Sequence, residues 1–342
     1  MIRKNTLFIV GAGASVDFGL PMGSELKSRI ADAVNLRYNH FDLVGGSSTI
    51  SESILHIDRT NRSGDANRLA ASGRIIHTAM PQSLSIDNYL EAHQSDNNIV
   101  LMGKLGIAHS ILKSENNSSI FYKAPEPNQV IPPTANTWHN TLCQMMTEGV
   151  NKENIEQSIS NISIITFNYD RCLEYYISHW LANYYNIDIE SSQNIVKRIP
   201  IVHVYGQCGR LPWQKGNSQA AIYGASVSGP ALLEIAKQIR TFTEQITDEN
   251  FKSEIRGLIS QADHIVSLGF SYAPQNLSVL DVTSSSNGKL RRLFGTTYGM
   301  SPQNVAAINH KIRSEFAIAW ETVFEGVKCN QLLQDNWYML TG

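Results

Sequence analysis

The chain has 342 residues, of which 42% are hydrophobic and 17% charged, and its formal net charge is −2. This length is sufficient to bury a substantial core, and the composition is that of a globular protein, so disorder of the whole chain is excluded. Basic and acidic residues are interspersed without a basic stripe, which argues against direct nucleic-acid binding as the main activity.

The cysteines and the apolar runs indicate the compartment. Four cysteines lie far apart without a C-x-x-C pair, which argues against a zinc module or a disulfide framework: Cys143, Cys172, Cys208 and Cys329. The apolar run before Gly11 is too short for the core of a signal peptide, and the other runs are far shorter than the ~20 residues that span a bilayer. We therefore expect a cytoplasmic protein without a membrane segment or a bound metal.

Four short runs rich in Val and Ile each end in glycine or in a small polar motif. They lie at residues 7–10, 162–166, 199–205 and 264–268. Continuous apolar runs of this kind are typical of parallel strands that are covered on both faces. Because helical patterns lie between them, we predict an α/β fold with a Rossmann-like, doubly wound parallel sheet.

Apolar residues at helical spacing predict the helices of this fold. Three sets are clear: Leu26, Ile30 and Val34; Leu173, Ile177, Leu181 and Tyr184; and Val305, Ile308 and Ile312. Ser301 is suited to the N-cap of the last helix and Pro302 to its first position.

The alternation of strands and helices is interrupted after the first strand. Helix-like stretches occur there at residues 85–92 and 138–146, without a convincing buried strand, and a polar stretch with prolines at 114–137 is typical of a long loop. We predict a mostly helical insertion at residues 35–154, within a Rossmann domain formed by residues 1–34 and 155–342. Further loops are expected at residues 216–229 and 284–288.

The motif GAGAS at residues 11–15 follows the first predicted strand. Small residues allow the backbone to approach a pyrophosphate, and the N–H groups of a following helix stabilise its charge. The motif lacks the third glycine of G-x-G-x-x-G, because Val16 occupies that position. By itself it is equally compatible with a tight strand-to-helix turn that binds no ligand.

The other predicted strands also end in polar or small residues. Asn168 and Asp170 follow the second strand, His203 and Gly206 end the third, and Gly269 follows the fourth. Ligands of open α/β sheets bind outside the carboxyl ends of the strands, which is where these residues are expected to lie. Asp170 is equally suited to capping the next helix, and a lone His203 is more often a core histidine with satisfied hydrogen bonds.

In chain order, the strand ends G-A-G-A-S, F-N-Y-D, H-V-Y-G and L-G-F-S-Y resemble those of the sirtuin superfamily. The segments VDFGLPMG at residues 16–23 and SIDNYL at 85–90 are similar to segments of its bacterial branch of NAD-hydrolysing defence proteins. The resemblance covers residues 7–23, 85–90 and 161–274. The zinc module of sirtuin deacylases is missing, Met22-Gly23-Ser24 replaces their Asp-Phe-Arg, and their T-Q-N-I-D is T-F-N-Y-D here.

The resemblance implies cleavage of the nicotinamide–ribose bond of NAD, giving nicotinamide and ADP-ribose. It assigns Asn168 to hold water or ribose hydroxyls near the anomeric carbon and His203 to act as general base. Asp87 and Asp170 are further candidates for polarising or positioning groups, although Asp87 is equally suited to a helix start. The residues assigned to NAD binding are Gly11, Ala12, Gly13, Ala14, Ser15, Asp17, Pro21, Thr166, Gly206, Gly269, Phe270 and Ser271.

The resemblance also implies a role in abortive antiphage defence. Because free NAD hydrolysis would kill the cell, we expect the enzyme to be inactive until assembly triggers it. The assembly would be a homo-oligomer or a complex with a partner such as a HerA-type ATPase, a short Argonaute or another sensor protein. The alternatives are a module that binds NAD or ADP-ribose without turnover and, since the zinc ligands are missing, less favourably a protein deacylase. The choice between NAD and NADP, and between a linear and a cyclic product, stays open.

Overall fold

The computed structural model describes residues 1–40, 42–61, 64–121, 135–246, 248–283 and 290–342. The loop predicted at residues 284–288 lies outside these ranges, as do residues 122–134 of the loop predicted at 114–137. Residues 114–116 of that loop were wrongly predicted, because they form the last turn of a long helix. The Ser114 hydroxyl donates to the carbonyl oxygen of Ser110 there, 2.6 Å away.

The strands are β1 (Thr6–Val10), β2 (Arg37–Asn39), β3 (Asp42–Gly45), β4 (Ile162–Thr166), β5 (Ile201–His203), β6 (His264–Leu268), β7 (Arg292–Thr296) and β8 (Glu321–Glu325). Strands β2 and β3 form a separate antiparallel hairpin. The other six form one parallel sheet in the order β5-β4-β1-β6-β7-β8. Counted within this sheet, the order is 3-2-1-4-5-6, which is that of the Rossmann fold. The predicted fold class is confirmed.

The carboxyl ends of the central strands lie level with one another. Val10 at the end of β1 is in register with Thr166 of β4 and Leu268 of β6, and Thr166 is in register with His203 of β5. All residues of β1 and β6 are buried, which explains their continuous apolar runs. Strand β5 is shorter than predicted, because the chain turns at Gly206, whose N–H donates to the carbonyl oxygen of His203.

The helices are α1 (Gly23–Val34), α2 (Ser48–Asn61), α3 (Asp65–Ala79), α4 (Ile86–Ala92), α5 (Asn97–Asn116), α6 (Trp138–Thr147), α7 (Cys172–Tyr185), α8 (Ile189–Val196), α9 (Gly229–Ala236), α10 (Phe242–Ile246), α11 (Glu249–Gln261), α12 (Pro274–Val279), α13 (Pro302–His310), α14 (Cys329–Asp335) and α15 (Trp337–Thr341). The predicted start of α13 is confirmed, since Ser301 Oγ accepts from the N–H of Asn304. The helix predicted from Leu173, Ile177, Leu181 and Tyr184 is present as α7, but Tyr184 is 59% exposed and stacks on Trp180 outside the buried face.

Helices pack on both faces of the sheet. Leu7 and Ile9 of β1 join a core cluster with α1, α2, α3 and α5, whereas Phe8 and Val10 join a second cluster with α6, α7 and α14. The alternation follows from the strand geometry, in which successive side chains point to opposite faces. Between β1 and β4, the described residues include helices α1 to α6 and the exposed hairpin. The division of the chain into a Rossmann domain and an insertion stays a prediction. In the described part of the chain, no helix is long and apolar enough to cross a membrane.

The turn after β1 contacts the turn after β6 backbone against backbone. The N–H of Gly13 donates to the carbonyl oxygen of Gly269 at 3.0 Å. A Cβ atom on Gly269, where φ is +56°, would lie 2.1 Å from the nitrogen of Ala14, and one on Gly11 would lie 2.5 Å from the oxygen of Gly269. Only glycine allows this approach.

We predict that Gly269→Ala destabilises the protein much more than Gly299→Ala. Both glycines have positive φ, but a Cβ on Gly299 would meet nothing within 4 Å. The control should therefore lose only the backbone term of about 1–2 kcal/mol. Gly269→Ala adds a backbone clash, for a total loss of about 3 kcal/mol or more. Urea unfolding measures both losses, and equal losses would contradict the contact described above.

Candidate active site

The sheet reverses its strand order at β1, with β4 on one side and β6 on the other. Segments 11–15, 167–170 and 269–271 therefore leave neighbouring strands at the same edge. The N–H of Phe167 donates to the carbonyl oxygen of Val10 at 2.8 Å, which continues the pairing of β1 and β4 into this edge. Such a switch point is where ligands of doubly wound sheets bind.

The glycine turn does not lead directly into an α-helix, so that prediction is wrong. It forms a 3-10 turn at Ala12–Ala14 and a second one at Val16–Phe18, and α1 begins only at Gly23. Gly19 ends the second turn with φ of +83°, and the N–H of Leu20 bonds back to the carbonyl oxygen of Ser15. The segment therefore lacks the aligned N–H groups of a long helix that the pyrophosphate model assumed.

Most N–H groups of this turn are already used. Those of Gly11, Gly13, Ala14 and Ser15 donate to backbone carbonyl oxygens within the protein. The N–H of Ala12 stands at the first position of the 3-10 turn, where no acceptor exists within the helix. Ala12 and Gly13 are exposed. In this conformation the turn offers one N–H and a flat backbone surface, and its role as a phosphate cradle stays a prediction.

Asn168 is fixed in one orientation by β1. Its Nδ2 donates to the carbonyl oxygen of Gly11 at 3.2 Å and to Ser15 Oγ at 2.9 Å. A carbonyl oxygen can only accept, so the amide nitrogen must face Gly11 and Oδ1 must point away. Asn168 is 6% exposed, and Oδ1 is buried without a hydrogen-bond partner among the described residues. An orphaned buried acceptor costs about 1–3 kcal/mol, which a ligand hydroxyl or a water at this oxygen would recover.

Asp170 completes a chain of hydrogen bonds that begins at Asn168. Ser15 Oγ accepts from Asn168 and donates to Asp170 Oδ2 at 3.0 Å, while Asp170 Oδ1 accepts from the N–H of Cys172 at 3.1 Å. Asp170 lies one residue before the N-cap Arg171 and accepts from the first N–H of α7, which is a structural role close to the cap that the sequence allowed. Burial raises the pKa of Asp170. Both oxygens have structural partners, so its effect on a ligand passes through Ser15 and Asn168.

His203 is held in a buried ion pair that the sequence did not reveal. Its Nε2 lies 2.8 Å from Glu174 Oε1, and its Nδ1 lies 3.1 Å from the carbonyl oxygen of Asn168. Burial alone would lower the pKa of His203, but Glu174 and these hydrogen bonds outweigh it and raise the pKa above 6.5. Burial likewise opposes ionisation of Glu174, yet His203 lowers its pKa. Both ring nitrogens face oxygen acceptors, an arrangement that favours the imidazolium and leaves neither nitrogen open to a substrate proton.

Asp87 reaches the same region from α4. Ser85 caps this helix, as its hydroxyl oxygen accepts from the N–H of Asn88 at 3.0 Å. The hydroxyl group of Tyr169 donates to Asp87 Oδ1, which links the SIDNYL segment to the FNYD segment. Burial raises the pKa of Asp87 despite this bond. The structure therefore brings Asp87 to the sheet edge through Tyr169 and leaves it half-buried.

Of the other residues predicted to bind NAD, Thr166, Phe270 and Gly206 have structural roles in the fold, whereas Ser271 is accessible. Thr166 Oγ1 accepts from the N–H of Asn168 at 3.1 Å, and the buried ring of Phe270 packs on Phe167 at 4.8 Å. Gly206, with φ of +73°, is needed because a Cβ would lie 2.0 Å from the carbonyl oxygen of Gln238. Ser271 is exposed at the sheet edge.

Asp17 and Pro21, which were also predicted to bind NAD, follow the glycine turn on the chain and have structural neighbours of their own. Asp17 is exposed as a whole residue, but partial burial of its carboxyl group raises the pKa of that group. A hydrogen bond from the backbone of Trp138 and the charge of Lys328 act in the opposite direction. These neighbours belong to α6 and the start of α14. Pro21 is buried just before α1. Among the described residues, neither side chain forms a hydrogen bond with Asn168.

A second buried ion pair fixes the segment that carries Asn168. Arg171 and Glu115 are both fully buried and bonded through their side chains. Glu115 Oε1 also accepts from the backbone N–H of Arg171, and Arg171 Nη1 donates to the carbonyl oxygen of Ala221 at 2.6 Å. Helix α5 is thereby joined to the start of α7. No pattern in the sequence marks this pair, because its members lie 56 residues apart and Glu115 lies in a stretch predicted as a loop.

Comparison of the chain with models of known protein families gives no match, and comparison with curated proteins gives none either. The likeness to sirtuin-like NAD hydrolases therefore rests on the motif residues. It stays a prediction, as do the activity and the residue roles derived from it.

We predict that Glu174→Gln lowers the pKa of His203. Stabilisation from the raised pKa of His203 is complete below 6.5 and is lost as the pH rises through its folded-state value. Stabilisation from the lowered pKa of Glu174 is complete above 4.5 and is lost as the pH falls through its folded-state value. The loss caused by Glu174→Gln should therefore be largest between these pH values and decrease above 6.5.

NMR titration of His203 and urea unfolding at several pH values measure these effects. The matched control is Glu156→Gln, which removes one partner of the exposed Arg198–Glu156 pair and should change stability by less than about 1 kcal/mol. An unchanged His203 titration in Glu174→Gln would contradict the ion pair.

Proposed function

We propose that the chain is an NAD glycohydrolase that releases nicotinamide and leaves ADP-ribose. The observation that carries this proposal is the orphaned Oδ1 of Asn168, buried beside the switch point of a sheet with Rossmann strand order. An acceptor at this place is suited to a ribose hydroxyl or to a water molecule. The motif resemblance identifies NAD as the source of that ribose.

The proposed reaction needs no covalent bond between the protein and NAD. Nicotinamide leaves from a cationic nitrogen, so positioning of the ribose and of the attacking water is the main requirement. Asn168 Oδ1 would accept a hydrogen bond from one of them, and the bonds of Nδ2 to Gly11 and Ser15 hold that oxygen in place. The pyrophosphate would lie over the exposed backbone of Ala12 and Gly13, with Ser271 available as a donor. These positions form a path along the switch point.

The described conformation has the features expected of a resting enzyme. Asn168 Oδ1 is closed off from solvent, and most N–H groups of the glycine turn bond internally. Both ring nitrogens of His203 are occupied by Glu174 and the carbonyl oxygen of Asn168, so His203 would act as a general base only after this pairing is broken. We propose that assembly opens this arrangement, through a homo-oligomer or a defence partner such as a HerA-type ATPase, a short Argonaute or another sensor protein. The proposed role of the enzyme in abortive antiphage defence rests on the motif resemblance.

The second candidate function is a module that binds NAD or ADP-ribose without turnover. The observation that favours it is the pairing of His203, because both ring nitrogens have acceptors and no free general base stands beside Asn168. An imidazolium of this kind would stabilise the strand ends around a bound nucleotide. Turnover separates the two candidates, since both require binding.

We predict that Asn168→Ala reduces nicotinamide release from NAD by about 100-fold, because loss of one positioned polar group in an active site costs about 10²–10³ in rate. His203→Ala should also reduce release. The control is Asn304→Ala, which removes an exposed amide on α13 and should leave release unchanged. Free nicotinamide is measured for the purified chain alone and after assembly with candidate partners, and urea unfolding verifies that each variant is folded.

The outcomes distinguish the candidates. Nicotinamide release that survives Asn168→Ala would contradict the assigned site. ADP-ribose binding that is weakened by Asn168→Ala, without nicotinamide release in any assembled state, would replace the hydrolase by the binding module. Absence of both binding and release in all states would contradict both candidates.

A further inference from the structure

A cleft of about 530 Å³ lies between α1 and α5, apart from the candidate active site. Helix α1 contributes Arg29 and Asp32, and α5 contributes His109 and Lys113. Ser47, from the loop before α2, lies at the same cleft. None of the residues assigned above to NAD lines it. Its volume is within the range of about 300–1,000 Å³ that is typical of small-molecule sites.

The spacing of these residues places their charges in one groove. His109 and Lys113 are four residues apart and share a face of α5, and Arg29 and Asp32 are three residues apart on α1. Arg29 Nη1 donates to Ser114 Oγ at 2.7 Å, which holds the guanidinium beside the residue that follows Lys113. Two cations, Arg29 and Lys113, therefore line the same cleft from its two walls.

The two cations differ in how far their charge is already compensated. Arg29 Nη2 pairs with Glu25 at 2.5 Å on the solvent side of α1. Lys113 is exposed and has no carboxylate partner in the described part of the chain. The charge of Lys113 is therefore the one most available to an anion.

Hydrogen-bonding groups of His109, Ser110 and Asp32 complete the lining. His109 Nδ1 lies 3.2 Å from Ser47 Oγ, and burial, with a smaller effect of Lys113, lowers the pKa of His109 to about 4. The imidazole is therefore neutral near pH 7 and can accept or donate one hydrogen bond. Ser110, which also lines the cleft, has a buried hydroxyl without a hydrogen-bond partner among the described residues. The Asp32 carboxylate is exposed and adds an acceptor.

We propose that this cleft binds a small phosphate ester that carries hydroxyl or amino donors, of the size of a nucleoside monophosphate. Lys113 and Arg29 would hold the phosphate by charge-assisted hydrogen bonds, which are the stronger class. Asp32 and His109 would accept from the hydroxyl or amino groups, and these contacts favour such an ester over an anion that has no donors to offset the repulsion by Asp32. Close packing of α1 on Gly106 of α5, where a Cβ would lie 2.8 Å from Ile30 and Val34 side-chain atoms, keeps the two walls in place.

AMP is a suitable probe, with adenosine as its uncharged counterpart. We expect the intact chain to bind AMP in isothermal titration calorimetry, and to bind adenosine about tenfold more weakly or worse. Lys113→Gln should weaken AMP binding by about tenfold or more and leave adenosine binding unchanged. The matched control is Lys237→Gln, which removes an exposed lysine on the α9 side of the protein and should not change AMP affinity. Because Lys113 is exposed, the variant should unfold at the same urea concentration as the wild type.

Three results would overturn the proposal. One is the absence of AMP binding at concentrations up to about 10 mM. Another is equal AMP affinity of the wild type and Lys113→Gln. The third is AMP binding that Asn168→Ala abolishes and Lys113→Gln preserves, because AMP would then occupy the edge of the sheet. The proposed NAD hydrolysis is tested separately by nicotinamide release, so failure of one proposal leaves the other standing.

Discussion

The close contact between the turns after β1 and β6 is the constraint on which the carboxyl edge of the sheet depends. Gly11 and Gly269 have no side chain, so the two backbones approach to distances at which a Cβ would clash. The approach leaves the carbonyl oxygen of Gly11 turned towards the end of β4, where it accepts from Asn168. The orientation of the Asn168 amide, and with it the unsatisfied Oδ1, follows from a contact between backbones on the other side of β1.

From that amide, hydrogen bonds extend into the helices on both sides. Ser15 Oγ accepts from Asn168 and donates to Asp170, just before α7. The next residue, Arg171, is ion-paired with Glu115 of α5. A buried pair whose partner is removed is strongly destabilising, so this arrangement holds one geometry of the site. The same pairing makes the site rigid and closed. The proposed hydrolase would therefore need an event that releases part of this arrangement, and assembly is the event proposed.

The sequence predicted the central strands β1, β4 and β6 and the edge strand β5, and it missed β7 and β8. Strands β1 and β6 are buried on both faces and are continuous apolar runs, whereas β8 is an edge strand with the sequence ETVFE and only partial burial, and no run marked it. Strand β7, with the sequence RLFGT, is interrupted by a charge and a glycine. The motif residues were found because they follow predicted strands. Glu174 was not found, because it lies 29 residues from His203 on a helix whose periodicity gives no information about a polar partner.

Asn168 Oδ1 is the proposed acceptor for the ribose of a bound dinucleotide. A crystal structure of the protein with ADP-ribose, in the assembled state that releases nicotinamide, tests it most directly. We predict a ribose hydroxyl or a water bridging to the ribose within hydrogen-bond distance of Asn168 Oδ1, about 2.5–3.2 Å, with the pyrophosphate over Ala12 and Gly13. ADP-ribose bound elsewhere, with Oδ1 still buried and unpaired, would contradict the account.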